Sequence, residues 1–85
     1  MKKEVIKYHI IKYFIEINKL KDENKEEFEY KNYIKENILD SIEFINFILE
    51  LENVFSISLT ENDIQSANFQ TIDGISIIIA NKLDK

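Results

Sequence analysis

The sequence predicts a small all-α domain, and three observations carry that expectation. Apolar residues recur at helical spacing near the N-terminus. Further on, Asp40 with Glu43 and Thr60 with Asp63 repeat the pattern of a capping residue followed three positions later by an acid. No long stretch sustains the alternation of a half-buried strand. At 85 residues the chain reads as one domain spanning residues 1 to 85. A chain of this size has a single modest core and buries only roughly 60 to 70% of its unfolded surface.

Between Lys3 and Leu20, Ile6, Ile10, Phe14 and Ile17 share one stripe while Lys3, Lys7 and Lys12 lie off it, which predicts an amphipathic first helix. Its isoleucines and tyrosines favour strand weakly, but eighteen residues is long for a strand. Lys21 to Asn37 is charged and irregular. It reads as a long loop pinned to the core by Phe28, Tyr30, Tyr33 and Ile34, and a loop of that length has a role or a short turn of its own.

The second helix opens at Asp40, a good N-cap, with Glu43 completing a capping box. Polar Glu43, Asn46, Glu50 and Asn53 make one narrow stripe on a helix that otherwise carries Ile42, Ile45, Ile48, Leu49, Leu51 and Phe55. Such a helix is expected to be largely buried, with Phe44 and Phe47 flanking the polar stripe. Ser56 to Leu59 connects to a short third helix, capped by Thr60 with Asp63 and reaching about Gln65. Thr71 caps the last helix, which runs to about Leu83 with Asp73 in its first turn and Ile72, Ile75, Ile79 and Leu83 facing inward. Gly74, the only glycine, costs that helix about 1 kcal/mol relative to alanine. The run Ile77-Ile78-Ile79 suits a strand, but no partner strand is evident.

Charge and composition exclude several function classes. The net charge of −5 is unevenly spread: residues 1 to 35 hold nine of eleven lysines, whereas Ser41 to Asn81 has no lysine or arginine beside Glu43, Glu50, Glu52, Glu61, Asp63 and Asp73. An acidic surface of that kind repels phosphate backbones and anionic lipid and suits a basic protein patch; the bland reading is a solvated face that aids solubility. No cysteine is present, which removes disulfides, thiolate nucleophiles and Cys-rich metal sites and is compatible with a cytoplasmic setting. Met1-Lys2-Lys3 is followed by interrupted apolar sequence, unlike a signal peptide or spanning segment.

Candidate chemistry centres on Ser41. A serine at the first turn of a helix, backed by Asp40, can receive a phosphate-linked group, because the free N–H groups and the positive end of the helix dipole favour the anion. The lone His9 has no serine or cysteine set beside it and is assigned no role. Glu23, Glu26, Glu27 and Glu29 lack the oxygen-ligand spacing of a calcium loop and read as a solvated loop.

The order Asp40-Ser41-Ile42, Glu50-Leu51-Glu52-Asn53-Val54-Phe55, Ile57-Ser58-Leu59 and Phe69-Gln70-Thr71-Ile72 resembles the phosphopantetheine-dependent acyl carrier proteins. The resemblance covers Phe28 to Leu83; the first helix matches only in amphipathic character. It implies a four-helix bundle with a long loop between helices 1 and 2 and a short third helix. Ser41 would carry 4'-phosphopantetheine, attached by a phosphopantetheinyl transferase whose metal ion Asp40 helps to hold, and the arm would hold acyl or aminoacyl groups as thioesters. The carrier would catalyse nothing itself. It would present cargo to a loading ligase and downstream enzymes with basic patches, as a monomer without nucleic-acid or membrane partners, docking through Ile42, Glu43, Phe44, Phe47, Glu50 and Glu52.

One departure stands out. Fatty-acid carriers usually have Gly-Ala before the Asp-Ser pair, where this chain has Ile38-Leu39. Asn37-Ile38-Leu39-Asp40-Ser41 is closer to the Gly-hydrophobic-hydrophobic-Asp-Ser form of D-alanyl, peptidyl and specialised acyl carriers, with Asn37 where that form prefers glycine. Asparagine tolerates a left-handed backbone, so the turn can survive. The expectation is a carrier of a dedicated pathway. The alternatives are a fatty-acid synthesis carrier and a helical interaction module without a prosthetic group.

Overall fold

The computed structural model describes residues 1 to 21 and 25 to 84. Among them are five α-helices: α1 (Lys3–Glu16), α2 (Lys25–Phe28), α3 (Ser41–Phe55), α4 (Glu61–Gln65) and α5 (Ile72–Leu83), with a 3-10 helix at Ala67–Gln70 before α5. No strand occurs among the described residues, and Ile77, Ile78 and Ile79 are helical. The molecule is a small helical bundle. Glu23 of the acidic loop cluster lies outside the described residues.

α1 buries Ile6, Ile10 and Phe14, one residue per turn. It ends at Glu16, four residues short of the expected Leu20, because Asn18 turns left-handed at φ 64°. The Lys19 N–H then reaches the Phe14 carbonyl at 2.9 Å and the Asn18 N–H reaches Ile15 at 3.0 Å, a Schellman closure that satisfies the last carbonyls. Ile17, expected inside, is therefore a half-buried cap residue, and Leu20 returns to the core.

The segment from Lys25 to Leu39, expected as loop, opens with the single turn of α2 and is irregular after it, fastened to the core by a few groups. Phe28 and Tyr33 are buried, but Tyr30 and Ile34 are 66% and 38% exposed, so only two of the four expected anchors hold it. Hydrogen bonds do the rest. Tyr33 donates its N–H to Gln70 and its hydroxyl to the Phe69 carbonyl, Asn32 Nδ2 meets Gln70 Oε1 at 2.7 Å, and the Asp73 N–H reaches the Glu29 carbonyl at 2.9 Å. Lys7 adds an ion pair to Asp73 at 2.7 Å and a longer one to Glu29, beneath the Tyr30 ring.

The centre of the core is aromatic. Phe14 meets Phe47 edge-on at 5.0 Å and packs against Phe28 and Tyr33, while Phe44 meets Phe69 at 6.0 Å. Each such pair adds about 0.5 to 1.5 kcal/mol beyond the area it buries. α5 contributes Ile72, Ile75 and Ile79 and lies against α1 and the 3-10 helix. Gly74 is buried where that 3-10 helix crosses it, and a Cβ there would overlap the Asn68 carbonyl. The glycine whose reason the sequence leaves open permits this crossing.

α3 departs most from expectation. Its buried stripe is Phe47, Leu51 and Phe55, with Phe44 and Ile48 partly covered. Ile42, Ile45 and Leu49 are 71%, 56% and 57% exposed. The helix carries more apolar positions than the single core beneath it can cover, so the exposed face is broad where a narrow polar stripe was expected.

Candidate functional site

Ser41 is the first residue of α3 and is exposed. The turn that delivers it is built in two steps. Asn32 Oδ1 accepts the Lys35 N–H at 2.9 Å and starts a single helical turn, which closes when the Ile38 N–H reaches the Tyr33 carbonyl and the Asn37 N–H reaches Ile34, each at 3.1 Å. Asn37 sits at φ 53°, the left-handed backbone that asparagine tolerates and that the sequence reading required of it. Ile38 and Leu39 then pack partly against the core and aim the chain into Asp40.

Asp40 and Glu43 form the expected capping box. The Glu43 N–H donates to Asp40 Oδ1 at 2.7 Å and the Asp40 N–H donates to Glu43 Oε1 at 2.9 Å. The Phe44 N–H reaches the Asp40 carbonyl at 2.8 Å, which leaves the N–H groups of Ser41 and Ile42 without an intrahelical partner at the positive end of the dipole. Among the described residues no side chain engages the Ser41 hydroxyl. The serine is held in place through its backbone while its oxygen is free to react, and a phosphate ester there would meet two N–H donors. These features fit a phosphate-linked group.

Beside Ser41 lies an open groove of about 320 Å³ lined by Tyr33, Ile34, Leu39, Phe44 and Ile64, with Asn37 and Asp40 completing its walls. Burial pushes the Tyr33 phenol far above its ordinary range, so it stays a neutral donor to the Phe69 carbonyl at 2.6 Å. The groove is thus apolar and uncharged apart from Asp40.

The expected docking residues do not form one surface. Phe47 is fully buried, because it lies one turn from Leu51 on the core stripe, and it takes no part in docking. Phe44 is half-buried against Tyr33 and Phe69. Glu43 serves the capping box and pairs with Lys19 at 3.1 Å; Glu52 accepts the Leu59 N–H at 2.9 Å. Glu50 lines a separate crevice of about 160 Å³ between α1 and α3, with His9, Tyr13 and Phe47. Burial, with the nearby charges of Glu50 and Glu43 adding to it, raises the Tyr13 phenol. Only Ile42 of the apolar set is open to solvent, and it is joined by Ile45 and Leu49, which periodicity had placed inside.

Among the described residues no group of three or more His, Asp or Glu side chains is placed to hold a metal ion, and no helix is long and apolar enough to cross a membrane. His9 is exposed, with its ring nearly perpendicular to those of Tyr8 and Phe55. Compared with known protein families, with curated proteins and with solved structures, the chain gives no match.

Proposed function

We propose that the protein is a discrete carrier that holds acyl or aminoacyl intermediates as thioesters on a 4'-phosphopantetheine arm attached to Ser41. The observation that carries this reading is an exposed serine at the first turn of a capped helix, reached through a left-handed Asn37 turn and bordered by an apolar groove. When attached, the arm supplies the thiol that bears the cargo and tethers it near partner enzymes, which raises effective concentration.

The chain's own residues do the holding. Ser41 supplies the hydroxyl whose oxygen attacks the phosphorus of coenzyme A that bears the pantetheine arm; the phosphoanhydride bond breaks, adenosine 3',5'-bisphosphate leaves, the hydroxyl proton passes to the transferase, and Ser41 ends as the phosphodiester. Asp40 spends one carboxylate oxygen on the Glu43 N–H and keeps the other for the transferase's metal ion. The N–H groups of Ser41 and Ile42 face the resulting anion. Ile38 and Leu39 in place of a small pair favour an adenylating ligase of a dedicated pathway over fatty-acid synthesis as the source of cargo.

Incubation with coenzyme A, magnesium and a broad-specificity phosphopantetheinyl transferase is expected to add one phosphopantetheine to the intact mass, and Ser41→Ala to abolish it with helical circular dichroism retained. A folded wild-type protein left unchanged by several transferases would falsify this reading. It would favour the second one, a helical interaction module without a prosthetic group, for which the exposed Ile42, Ile45 and Leu49 speak.

A further inference from the structure

The crevice between α1 and α3 has an apolar, largely aromatic lining. Buried Phe47, Leu51 and Phe55 of α3 meet the rings of His9 and Tyr13 of α1 there. Its volume of about 160 Å³ is close to the ~150 Å³ of a cavity that takes one benzene ring. It shares no residue with the groove beside Ser41.

The rim of the crevice carries a charge that the fold leaves unanswered. Of the half-buried carboxylates among the described residues, Glu29, Glu43, Glu52, Asp63 and Asp73 each have a lysine or a backbone N–H as partner. Glu50 is half-buried too, and it has neither a hydrogen bond nor an ion pair. Glu16 joins it on the rim from α1, against the exposed Lys12. Burial raises the Tyr13 phenol and the charges of Glu50 and Glu43 add to that rise, which marks a negative field at the ring.

A ring-sized apolar lining under a negative rim fits a small organic cation. The body of such a ligand displaces water from Phe47 and Leu51, while its ammonium stays at the open side, near the Glu50 carboxylate and the electron-rich Tyr13 ring. An organic anion of the same shape would meet two carboxylates. A helix or strand of another protein is too wide for a space of this volume.

We infer that the crevice between α1 and α3 binds a small organic ammonium ion, carried on one ring or a short apolar chain, with Glu50 as the residue that selects the positive charge. The site goes beyond the carrier reading and does not depend on it. The test titrates the unmodified protein with benzylammonium, benzyl alcohol and benzoate at constant ionic strength, following backbone amide shifts by NMR. These probes share a ring and differ in charge. Wild type is compared with Glu50→Gln and Glu16→Gln, each checked by circular dichroism.

Benzylammonium is expected to shift amides around His9, Tyr13, Phe47 and Leu51 and to saturate at roughly millimolar concentration. It should bind about three- to tenfold tighter than benzyl alcohol, with benzoate weaker still. Glu50→Gln should bring benzylammonium to the level of benzyl alcohol and leave benzyl alcohol unchanged, and Glu16→Gln should weaken benzylammonium less. A folded wild type that gives no saturable shift, or shifts centred away from α1 and α3, overturns the site. Equal binding of the three probes, or a Glu50→Gln protein that binds benzylammonium as wild type does, overturns the selection of charge. Each of these results leaves the reading of Ser41 where it stands, because no step of the titration uses the serine.

Discussion

The Tyr33 hydroxyl donates a buried 2.6 Å hydrogen bond to the Phe69 carbonyl, 36 residues along the chain. That contact ties the wall of the groove beside Ser41 to the 3-10 helix that leads into α5. Tyr33→Phe keeps the ring among Phe14, Phe47 and Phe44 but strands the carbonyl in the interior. The expected cost is about 1 to 3 kcal/mol, read from the urea midpoint. An unchanged midpoint would show that water reaches the carbonyl.

Gly74 sits in a helix, where alanine is ordinarily preferred by about 1 kcal/mol. Here the sign reverses. An added Cβ would run into the Asn68 backbone, which cannot swing aside as a long side chain can. Gly74→Ala is expected to destabilise the domain by about 1 to 3 kcal/mol net, measured by thermal or urea unfolding. A more stable Gly74→Ala protein would mean that the 3-10 helix crosses α5 less closely than described.

Acid stability depends on two carboxylates. The hydrogen bond from Lys7, opposed by partial burial and helped by Lys3, holds Asp73 below its ordinary value of 3.8. Lys82 and then the Thr60 backbone N–H do the same for Asp63. A carboxyl depressed in the folded state adds stability that is complete above its unfolded pKa and is lost as pH falls through the lower, folded value. Stability is therefore expected to hold from neutrality to about pH 5 and to fall below about pH 4. Asp73→Asn should flatten part of that fall. On the alkaline side, burial lowers the Lys7 pKa but Asp73 and Glu29 outweigh it, and the net is upward. That stability is present below 10.5 and lost as pH rises through the folded value, and it is the same contact seen from the other partner. Identical acid limbs in wild type and Asp73→Asn would refute the assignment.

Local chemistry was legible in the sequence. Asp40 with Glu43, Thr60 with Asp63, and Thr71 each cap the helix that follows as read, because a cap depends on residues three positions apart. Asn37 was legible for the same reason. What failed depended on distant neighbours. Phe47 and Ile45 are both apolar members of one helix, and only the placement of α1 and the aromatic cluster decides which is buried. The 3-10 helix Ala67–Gln70 carries no periodic signal, and Gly74 acquires its meaning only from the Asn68 carbonyl that crosses it. In the candidate site, Ser41 and Asp40 could be found from sequence. The engagement of Glu43 and Glu52 by the fold itself could not, since Lys19 and the Leu59 N–H are partners that only the folded chain supplies.

Asp40 is read as both a helix cap and a metal-holding carboxylate, and substitution can separate the two. Asparagine is as good an N-cap as aspartate, so Asp40→Asn keeps the hydrogen bond to the Glu43 N–H and is expected to change stability by only a few tenths of a kcal/mol. Alanine removes the cap and is expected to cost about 0.5 to 2 kcal/mol. If Asp40 only starts the helix, Ser41 modification should follow stability, with Asp40→Asn behaving as wild type and Asp40→Ala impaired. If its free oxygen also serves the transferase's metal ion, Asp40→Asn should lose modification while keeping its urea midpoint, and raising magnesium should recover part of the rate. An Asp40→Asn protein modified as fast as wild type at low magnesium would leave Asp40 with the capping role alone.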